Sequence, residues 1–216
     1  FMKICDDVRK LKVRTNADTP EDAARARAFG AEGIGLFRTE HMFYGKNSEE
    51  PLFKLRKMIH SKTEAERVAA LDELFPHVKH DVKGTLEAMD GYPVTFRTLD
   101  PPLHEFVPTR VDEREKLASS LGISLEELNN RADSLHENNP MMGHRGVRLG
   151  ITYPEISEMQ IRAIFEATAE LLQEGKKPFP EIMIPVTCHV NEIKHQYEIV
   201  NKVHAEVCEK FGLKKI

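Results

Sequence analysis

Strand-like and helix-like segments alternate along this chain of 216 residues, and the alternation limits its fold more than any other feature. Residues 12–15, 34–37, 92–98 and 181–185 have the short, apolar or β-branched character of strands. A longer segment with helical features follows each of them. Such alternation is typical of β-α-β units, in which the strands run parallel. We therefore predict an α/β fold with four parallel strands.

Signals at the helix ends agree with this order. The first crossover helix is predicted over residues 21–29, with Thr19 as N-cap, Pro20 at its first position and Gly30 just after its end. Thr63 and Glu66 form a capping-box pattern that starts another helix. The final helix has apolar residues at helical spacing, which predicts a buried stripe. The members of this stripe are Ile193, Tyr197, Val200, Val203, Val207 and Phe211.

Four β-α units in series correspond to about the first half of a TIM-type (β/α)8 barrel, and this partial barrel is the predicted fold class. The polar, helical residues at about 109–139 lengthen the connection after the third strand, so we interpret them as an inserted helical subdomain. Residues 1–10 are predicted to be an N-terminal helix or linker, and residues 11–216 the half barrel. The chain begins without an initiator methionine and ends about where a fifth strand would start, so we expect a piece of a longer protein.

Four parallel strands cannot close into a barrel. The edge of the last strand would therefore be exposed and able to pair with another chain. A homodimer is one possible outcome for such an edge.

Composition and charge exclude several classes of function. The formal charge of -4, without a basic block, argues against nucleic-acid binding. No apolar run approaches the ~20 residues of a membrane span. The odd set Cys5, Cys188 and Cys208 has no metal or redox spacing, which favours free thiols in a reducing compartment, cytoplasmic or organellar. Cys188 is expected to be buried. The histidines lack ligand spacing, so no metal site is predicted in this segment.

Three arginines are the candidate site residues. Arg38 and Arg97 each end an apolar run, and each is followed by Thr and then, within three positions, by an acidic residue. Arg145 lies between two glycines in Met-Met-Gly-His-Arg-Gly-Val-Arg. Guanidinium groups grip phosphate and carboxylate with two parallel hydrogen bonds, and parallel strands end at the same edge of a sheet. The pattern therefore predicts a site for a small, strongly anionic substrate at that edge.

Other interpretations of these residues stay open. Arg38 could pair with Glu40 or Asp100 and merely hold two loops together. Arg148 is interpreted as a residue on the flank of the following helix. His144 is interpreted as a hydrogen-bonded packing residue, and it is left out of the catalytic set.

Several motifs of the chain resemble the pyruvate, phosphate dikinase family. The matching segments are Phe-Met-Lys-Ile-Cys-Asp-Asp at 1–7, Asn-Ala-Asp-Thr-Pro-Glu-Asp-Ala at 16–23, Gly-Leu-Phe-Arg-Thr-Glu-His-Met-Phe at 35–43, Arg-Thr-Leu-Asp-Pro-Pro-Leu-His-Glu-Phe at 97–106, Asn-Pro-Met-Met-Gly-His-Arg-Gly-Val-Arg at 139–148 and Pro-Glu-Ile-Met-Ile-Pro at 180–185. The Pro-Pro-Leu-His-Glu-Phe ending separates this resemblance from the phosphoenolpyruvate synthases and from enzyme I of the sugar phosphotransferase system.

The resemblance implies a multidomain phosphotransferase. It interconverts ATP, pyruvate and phosphate with AMP, phosphoenolpyruvate and pyrophosphate by way of a phosphohistidine. The chain would be the first half of its phosphoenolpyruvate- and pyruvate-binding barrel, served by the phosphohistidine domain of the same parent chain and by Mg²⁺. By motif, Arg38 and Arg97 would be catalytic and would hold the transferring phosphoryl group and the enolate. Arg145 would bind substrate in the same pocket.

The resemblance also implies what this segment lacks. The family's metal-binding carboxylates, its asparagine and its proton-donating cysteine would lie after residue 216, and its phosphocarrier histidine before residue 1. The isolated chain is therefore expected to be inactive. Two alternatives remain: a relative of the phosphoenolpyruvate synthases or of enzyme I, and a non-enzymatic anion-binding module that kept half a barrel.

Overall fold

The computed structural model describes residues 2–45 and 48–216. Over these ranges the chain forms one sheet of four strands with α-helices around it. The strands are β1 Thr15–Asn16, β2 Ile34–Arg38, β3 Pro93–Arg97 and β4 Phe179–Met183. The helices are α1 Met2–Val8, α2 Pro20–Ala28, α3 Glu49–His60, α4 Glu64–Ala88, α5 Val111–Leu121, α6 Leu125–Leu135, α7 Val147–Thr152, α8 Pro154–Gln173 and α9 Val190–Phe211.

The strands lie in sequence order, β1-β2-β3-β4, and every neighbouring pair is parallel. Arg38 is the register partner of Arg97, and Arg97 is the register partner of Met183. The last residues of β2, β3 and β4 therefore meet at one edge of the sheet. The predicted α/β class with four parallel strands is confirmed, and the arrangement is compatible with part of a (β/α)8 barrel.

The strand limits differ from the predicted ones at both edges of the sheet. The first strand was placed over residues 12–15, but β1 is only Thr15–Asn16, because β2 pairs with it only from Thr15 onward. The last strand was placed over residues 181–185, but its ladder with β3 begins at Phe179 and ends at Met183. Val186 then adopts a left-handed φ of 60°, which an extended ladder does not contain.

The predicted helix starts are confirmed. The Thr19 hydroxyl accepts a hydrogen bond from the Asp22 amide at 3.1 Å, and Pro20 is the first residue of α2. At α4, Thr63 and Glu66 form both bonds of a capping box. These side chains satisfy amide groups that have no partner within the helix, which is why the two helices begin at these residues.

The core lies between the sheet and the long helices α4 and α8. Phe37 of β2 and Phe96 of β3 are fully buried, and their rings make an edge contact with centroids 5.1 Å apart. Buried aliphatic residues of both helices, such as Leu74 of α4 and Ile164 of α8, belong to the same cluster. Burial of one such side chain contributes about 1.5–3 kcal/mol. The arginines at the sheet edge therefore follow strands that are firmly packed.

The predicted stripe of α9 is wrong over the first half of that helix. Val203 and Val207 are buried, but Ile193 is 44% exposed and Tyr197 is 61% exposed. The buried side chain in that half is Gln196, which donates to the Gly150 carbonyl at 2.9 Å and so attaches α9 to α7. A polar contact to a short helix holds this end of α9, so its apolar residues are left at the surface.

No α-helix within residues 2–45 and 48–216 is long and apolar enough to span a membrane. The region at about 109–139 contains α5 and α6, joined at Ser124, whose hydroxyl accepts from the Glu127 amide at 3.1 Å. The cysteines Cys5, Cys188 and Cys208 are free thiols. The prediction that Cys188 is buried is wrong, because the residue lies exposed in the connection after β4.

Candidate functional site

The carboxyl edge of the sheet brings two of the predicted site residues side by side. Arg38 and Arg97 are the last residues of β2 and β3, and they are register partners across the ladder. Buried phenylalanines, Phe37 and Phe96, precede them and fix where each strand ends. Active sites of parallel β/α folds form at this edge of the sheet.

Arg38 is held by one carboxylate. Asp18, in the loop between β1 and α2, accepts from the Arg38 amide at 2.7 Å and from the Arg38 Nη1 atom at 3.1 Å. The His41 Nδ1 atom lies 2.9 Å from Asp18 Oδ2, the same oxygen that accepts from Arg38 Nη1. The Arg38 side chain remains 31% exposed. Arg38 is thus oriented but still accessible to a ligand.

Arg97 is held by two buried carboxylates. Its Nη2 atom donates to Glu40 Oε1, and its Nη1 atom lies 2.9 Å from Asp100 Oδ2. Glu40 follows β2 by two positions and Asp100 follows β3 by three, so both carboxylates come from the segments that leave the sheet. Removing either carboxylate would leave a buried positive charge with less compensation.

Asp100 also joins Arg145 to this group. Its two carboxylate oxygens accept from Arg145 Nε at 3.1 Å and from Arg145 Nη2 at 2.6 Å, which is the two-pronged geometry of a strong arginine–carboxylate pair. The Asp100 carbonyl accepts from the Gly146 amide at 3.0 Å. One residue therefore fixes the relative positions of Arg97 and Arg145.

The backbone around Gly146 carries Arg145 over the ends of β3 and β4. Gly146 has a φ of 56°, and a Cβ atom there would lie 2.9 Å from the Pro185 carbonyl oxygen. The next amide, of Val147, donates to that same oxygen at 3.0 Å. A side chain at position 146 would separate the two segments, so glycine is needed here for close approach and for its left-handed backbone.

The site holds unused hydrogen-bonding capacity. Arg97 Nε and Glu40 Oε2 are buried side-chain atoms without a hydrogen-bond partner. Buried polar atoms are nearly always paired, so an unpaired donor and an unpaired acceptor in two side chains that contact each other are unusual. The formal charges of Arg38, Arg97 and Arg145 are balanced by those of Asp18, Glu40 and Asp100.

The structure shows which carboxylate pairs with Arg38. Arg38 pairs with Asp18, not with Glu40 or Asp100; those two acids hold Arg97. The residues that hold the arginines were therefore partly missed from the sequence. The sequence pattern pointed to Glu40 and Asp100, but as possible partners of Arg38 and not of Arg97. Asp18 was missed, although it lies two residues after β1 in a strand-to-helix loop, where functional side chains collect.

The neighbours of Arg145 have structural contacts. Arg148 Nη1 donates to the carbonyls of Met142 and Gly143 at 2.9 and 2.8 Å, which closes the loop before α7. His144 Nε2 lies 2.9 Å from the Thr152 hydroxyl. Neither residue contacts the carboxylates that hold Arg38, Arg97 and Arg145.

The carboxylates that hold the three arginines, called the rim carboxylates below, do not form a metal site. Across residues 2–45 and 48–216, no group of three or more His, Cys, Asp or Glu side chains is placed to hold a metal ion. Asp18, Glu40 and Asp100 instead face guanidinium groups. Their donor oxygens do not fit Mg²⁺, which needs several oxygen ligands free to converge on it.

Nearly the whole chain is similar to proteins of one known family. Residues 1–215 match the family described as "PEP-utilising enzyme, PEP-binding domain". The chain is 51% identical over 212 residues to the pyruvate, phosphate dikinase of Giardia intestinalis, covering 98% of the chain and 24% of that protein. It is 50% identical over 213 residues to that of Clostridium symbiosum, with coverage of 98% and 24%. It is 49% identical over 214 residues to the chloroplastic one of Mesembryanthemum crystallinum, with coverage of 98% and 22%. The chain thus spans about a quarter of the length of these relatives.

Proposed function

This chain belongs to the family of PEP-utilising enzymes and matches their PEP-binding domain, and from that membership we propose that it is the first half of the phosphoenolpyruvate- and pyruvate-binding barrel of a pyruvate, phosphate dikinase. The parent enzyme would interconvert ATP, pyruvate and phosphate with AMP, phosphoenolpyruvate and pyrophosphate through a phosphohistidine. Residues 1–10 would form the helix or linker that leads into the barrel. Residues at about 109–139 would be a helical insertion.

The register pairing of Arg38 with Arg97 at the carboxyl edge of the sheet is the observation that carries this proposal. Phosphoryl transfer between a histidine nitrogen and an enolate oxygen requires positioning and stabilisation of charge, with little covalent work for the protein. Permanently charged, forked donors meet both needs. We assign Arg38 and Arg97 to the phosphoryl group and the enolate, and Arg145 to substrate in the same pocket.

The orientation of its guanidinium supports a direct role for Arg97. Its Nε atom is buried and has no partner, while its two Nη atoms are already oriented by Glu40 and Asp100. The Arg97 side chain is 18% exposed, and a phosphoryl or enolate oxygen would reach the guanidinium through that exposed part. Such donors, fixed before the reaction, cost no reorganisation when charge develops on the substrate.

The remaining parts of the enzyme would come from elsewhere in the parent chain. We propose that the phosphohistidine domain and the Mg²⁺ ligands lie outside this segment, because its rim carboxylates are engaged by arginines. The isolated segment would then be inactive. The free thiols agree with a reducing compartment, cytoplasmic or organellar, for the parent protein.

Replacing Arg97 by Lys in the full-length gene product tests the assignment. The expected result is a loss of turnover on the order of 10²–10³, as for removal of a donor that stabilises developing charge. Arg110→Lys is the matched control, because Arg110 is an exposed arginine, also paired with a carboxylate, at the start of α5. Formation of AMP and phosphoenolpyruvate is measured with and without inorganic phosphate. Normal turnover by the Arg97 variant would refute the assignment, and turnover without phosphate would favour a phosphoenolpyruvate synthase.

A further inference from the structure

A buried glutamine connects the two segments that leave the sheet after Arg38 and Arg97. Gln160 of α8 is 4% exposed. Its Oε1 atom accepts from the Leu99 amide at 3.0 Å, and its Nε2 atom donates to the Thr39 hydroxyl at 3.1 Å. One carboxamide therefore contacts the residue after Arg38 and the second residue after Arg97.

The position of Gln160 in its helix makes these bonds informative. Ile156 and Ile164 lie one turn before and one turn after it, and both are buried in the main core. An apolar side chain would continue that stripe at no cost, whereas a buried carboxamide is destabilising unless it is hydrogen-bonded. Gln160 is bonded at both ends of its amide, so the contacts with Thr39 and Leu99 account for a polar residue here.

The two contacted residues directly precede the carboxylates that hold Arg97. Thr39 is followed by Glu40, and Leu99 is followed by Asp100, which also binds Arg145. Leu99 lies just beyond the ladder, whose last bond in this strand joins the Thr98 amide to the Met183 carbonyl. The Leu99 amide therefore needs an acceptor from outside the sheet, and α8 supplies it.

We propose that Gln160 is a positioning residue: its carboxamide joins the segment after β2 to the segment after β3 and so holds Glu40 and Asp100 at the separation that orients Arg97. The proposal rests on the proposed function, because it gives Gln160 a role in the same phosphoryl-transfer site. Gln160 does not touch the substrate in this role and acts only through Thr39 and Leu99.

The test uses Gln160→Met in the full-length gene product, because Met is similar in size but offers no amide. The first readout is hydrogen exchange of the Leu99 amide, which should become on the order of 10-fold faster when its acceptor is lost. The second readout is steady-state kinetics with pyruvate. Turnover should fall about 10- to 100-fold, and KM should change far less, because a misplaced guanidinium acts mainly in the transition state.

Two further variants separate positioning from general loss of packing. Thr168→Val removes a buried hydroxyl of the same helix that bonds only to the Ile164 carbonyl of that helix, and it should leave both readouts unchanged. Gln160→Glu keeps an acceptor for the Leu99 amide, and its second oxygen can accept from the Thr39 hydroxyl. It should restore exchange protection and bring turnover back to within about tenfold of the wild type.

Each outcome bears on one of the two proposals. Unchanged exchange or unchanged turnover in Gln160→Met, or an equal fall in Thr168→Val, would overturn the positioning role. If Gln160→Met does not fold, Gln160→Glu decides. Loss of Leu99 protection with turnover retained, or retained protection with turnover lost, would overturn the proposal. A wild-type protein without dikinase activity would refute the proposed function, and exchange of Leu99 would then decide on positioning alone.

Discussion

Asp100 should be the carboxylate on which the stability of the site most depends. It forms an ion pair with Arg97 Nη1 and accepts hydrogen bonds from Arg145 through both of its oxygens, while its side chain is only 5% exposed. Asp100→Asn keeps the shape but removes the charge, and it turns an amide NH₂ group toward guanidinium donors. Breaking a buried ion pair by removing one partner costs about 3–5 kcal/mol. We expect about 3 kcal/mol, because Glu40 still compensates Arg97.

The matched control is Asp112→Asn. Arg110 and Asp112 form a fork with distances of 3.1 and 3.0 Å, similar to the fork of Arg145 and Asp100, but at the surface, where the two side chains are 70% and 53% exposed. An exposed pair contributes at most about 1 kcal/mol. For a chain of this size, Asp100→Asn should lower Tm by about 6–12 °C and Asp112→Asn by less than about 4 °C.

Thermal melting with increasing inorganic phosphate completes this test. Asp100→Asn adds one positive charge to a site in which arginines and carboxylates balance, so phosphate should bind the variant more tightly than the wild type. A tenfold gain in affinity for phosphate would stabilise the variant by about 1.4 kcal/mol more than the wild type at saturating phosphate. Equal Tm losses in Asp100→Asn and Asp112→Asn would refute the reasoning, as would equal stabilisation of wild type and Asp100→Asn by phosphate.

Two further predictions concern the backbone and the pH dependence. Gly146→Ala should lower the free energy of unfolding by more than about 1 kcal/mol, because φ is 56° and the added Cβ would lie 2.9 Å from the Pro185 carbonyl oxygen. The control is Gly122→Ala, since Gly122 has a φ of 68° but open space around it. Equal losses of stability of the two variants in urea melts would refute the argument from close approach. Burial lowers the pKa of His60 from its usual 6.5 to about 4, so the unfolded chain binds more protons between these values and stability falls as pH drops from about 6.5 to about 4. His60 is partly exposed, so the free energy of unfolding should fall by about 1–2 kcal/mol over this pH range. Urea melts of His60→Leu should lack this part of the pH dependence. An unchanged pH dependence in that variant would contradict its assignment to His60.

The sequence was sufficient for the parts of the site that depend on local pattern. An apolar run followed by Arg-Thr predicts that Arg38 and Arg97 end buried strands, and parallel pairing then places both at one edge. The structure adds that they are direct register partners. Helix starts at Thr19 and Thr63 could be predicted for the same reason, since a capping bond spans only three residues.

Contacts between distant segments could not be predicted in this way. Gln160 lies 121 positions from Thr39 and 61 from Leu99, and no pattern near any of the three residues specifies the others. The stripe of α9 failed for a related reason. Helical spacing of apolar residues identifies a face that can be buried, but Tyr197 shows that it does not say which surface covers that face.

The pairing of the arginines would explain how the proposed site could be both rigid and open to an anion. A guanidinium without a partner would bind phosphate strongly but could adopt many orientations, because its side chain has several rotatable bonds. Glu40 and Asp100 remove that freedom from Arg97 and leave its Nε atom unused, whereas Arg38 keeps one carboxylate and a larger exposed fraction. Each carboxylate lowers the attraction for the ground-state anion. In the proposed transfer, the oriented donors would remain in place for the charge that develops on the substrate, and stabilisation of that charge is the part of binding that accelerates a reaction.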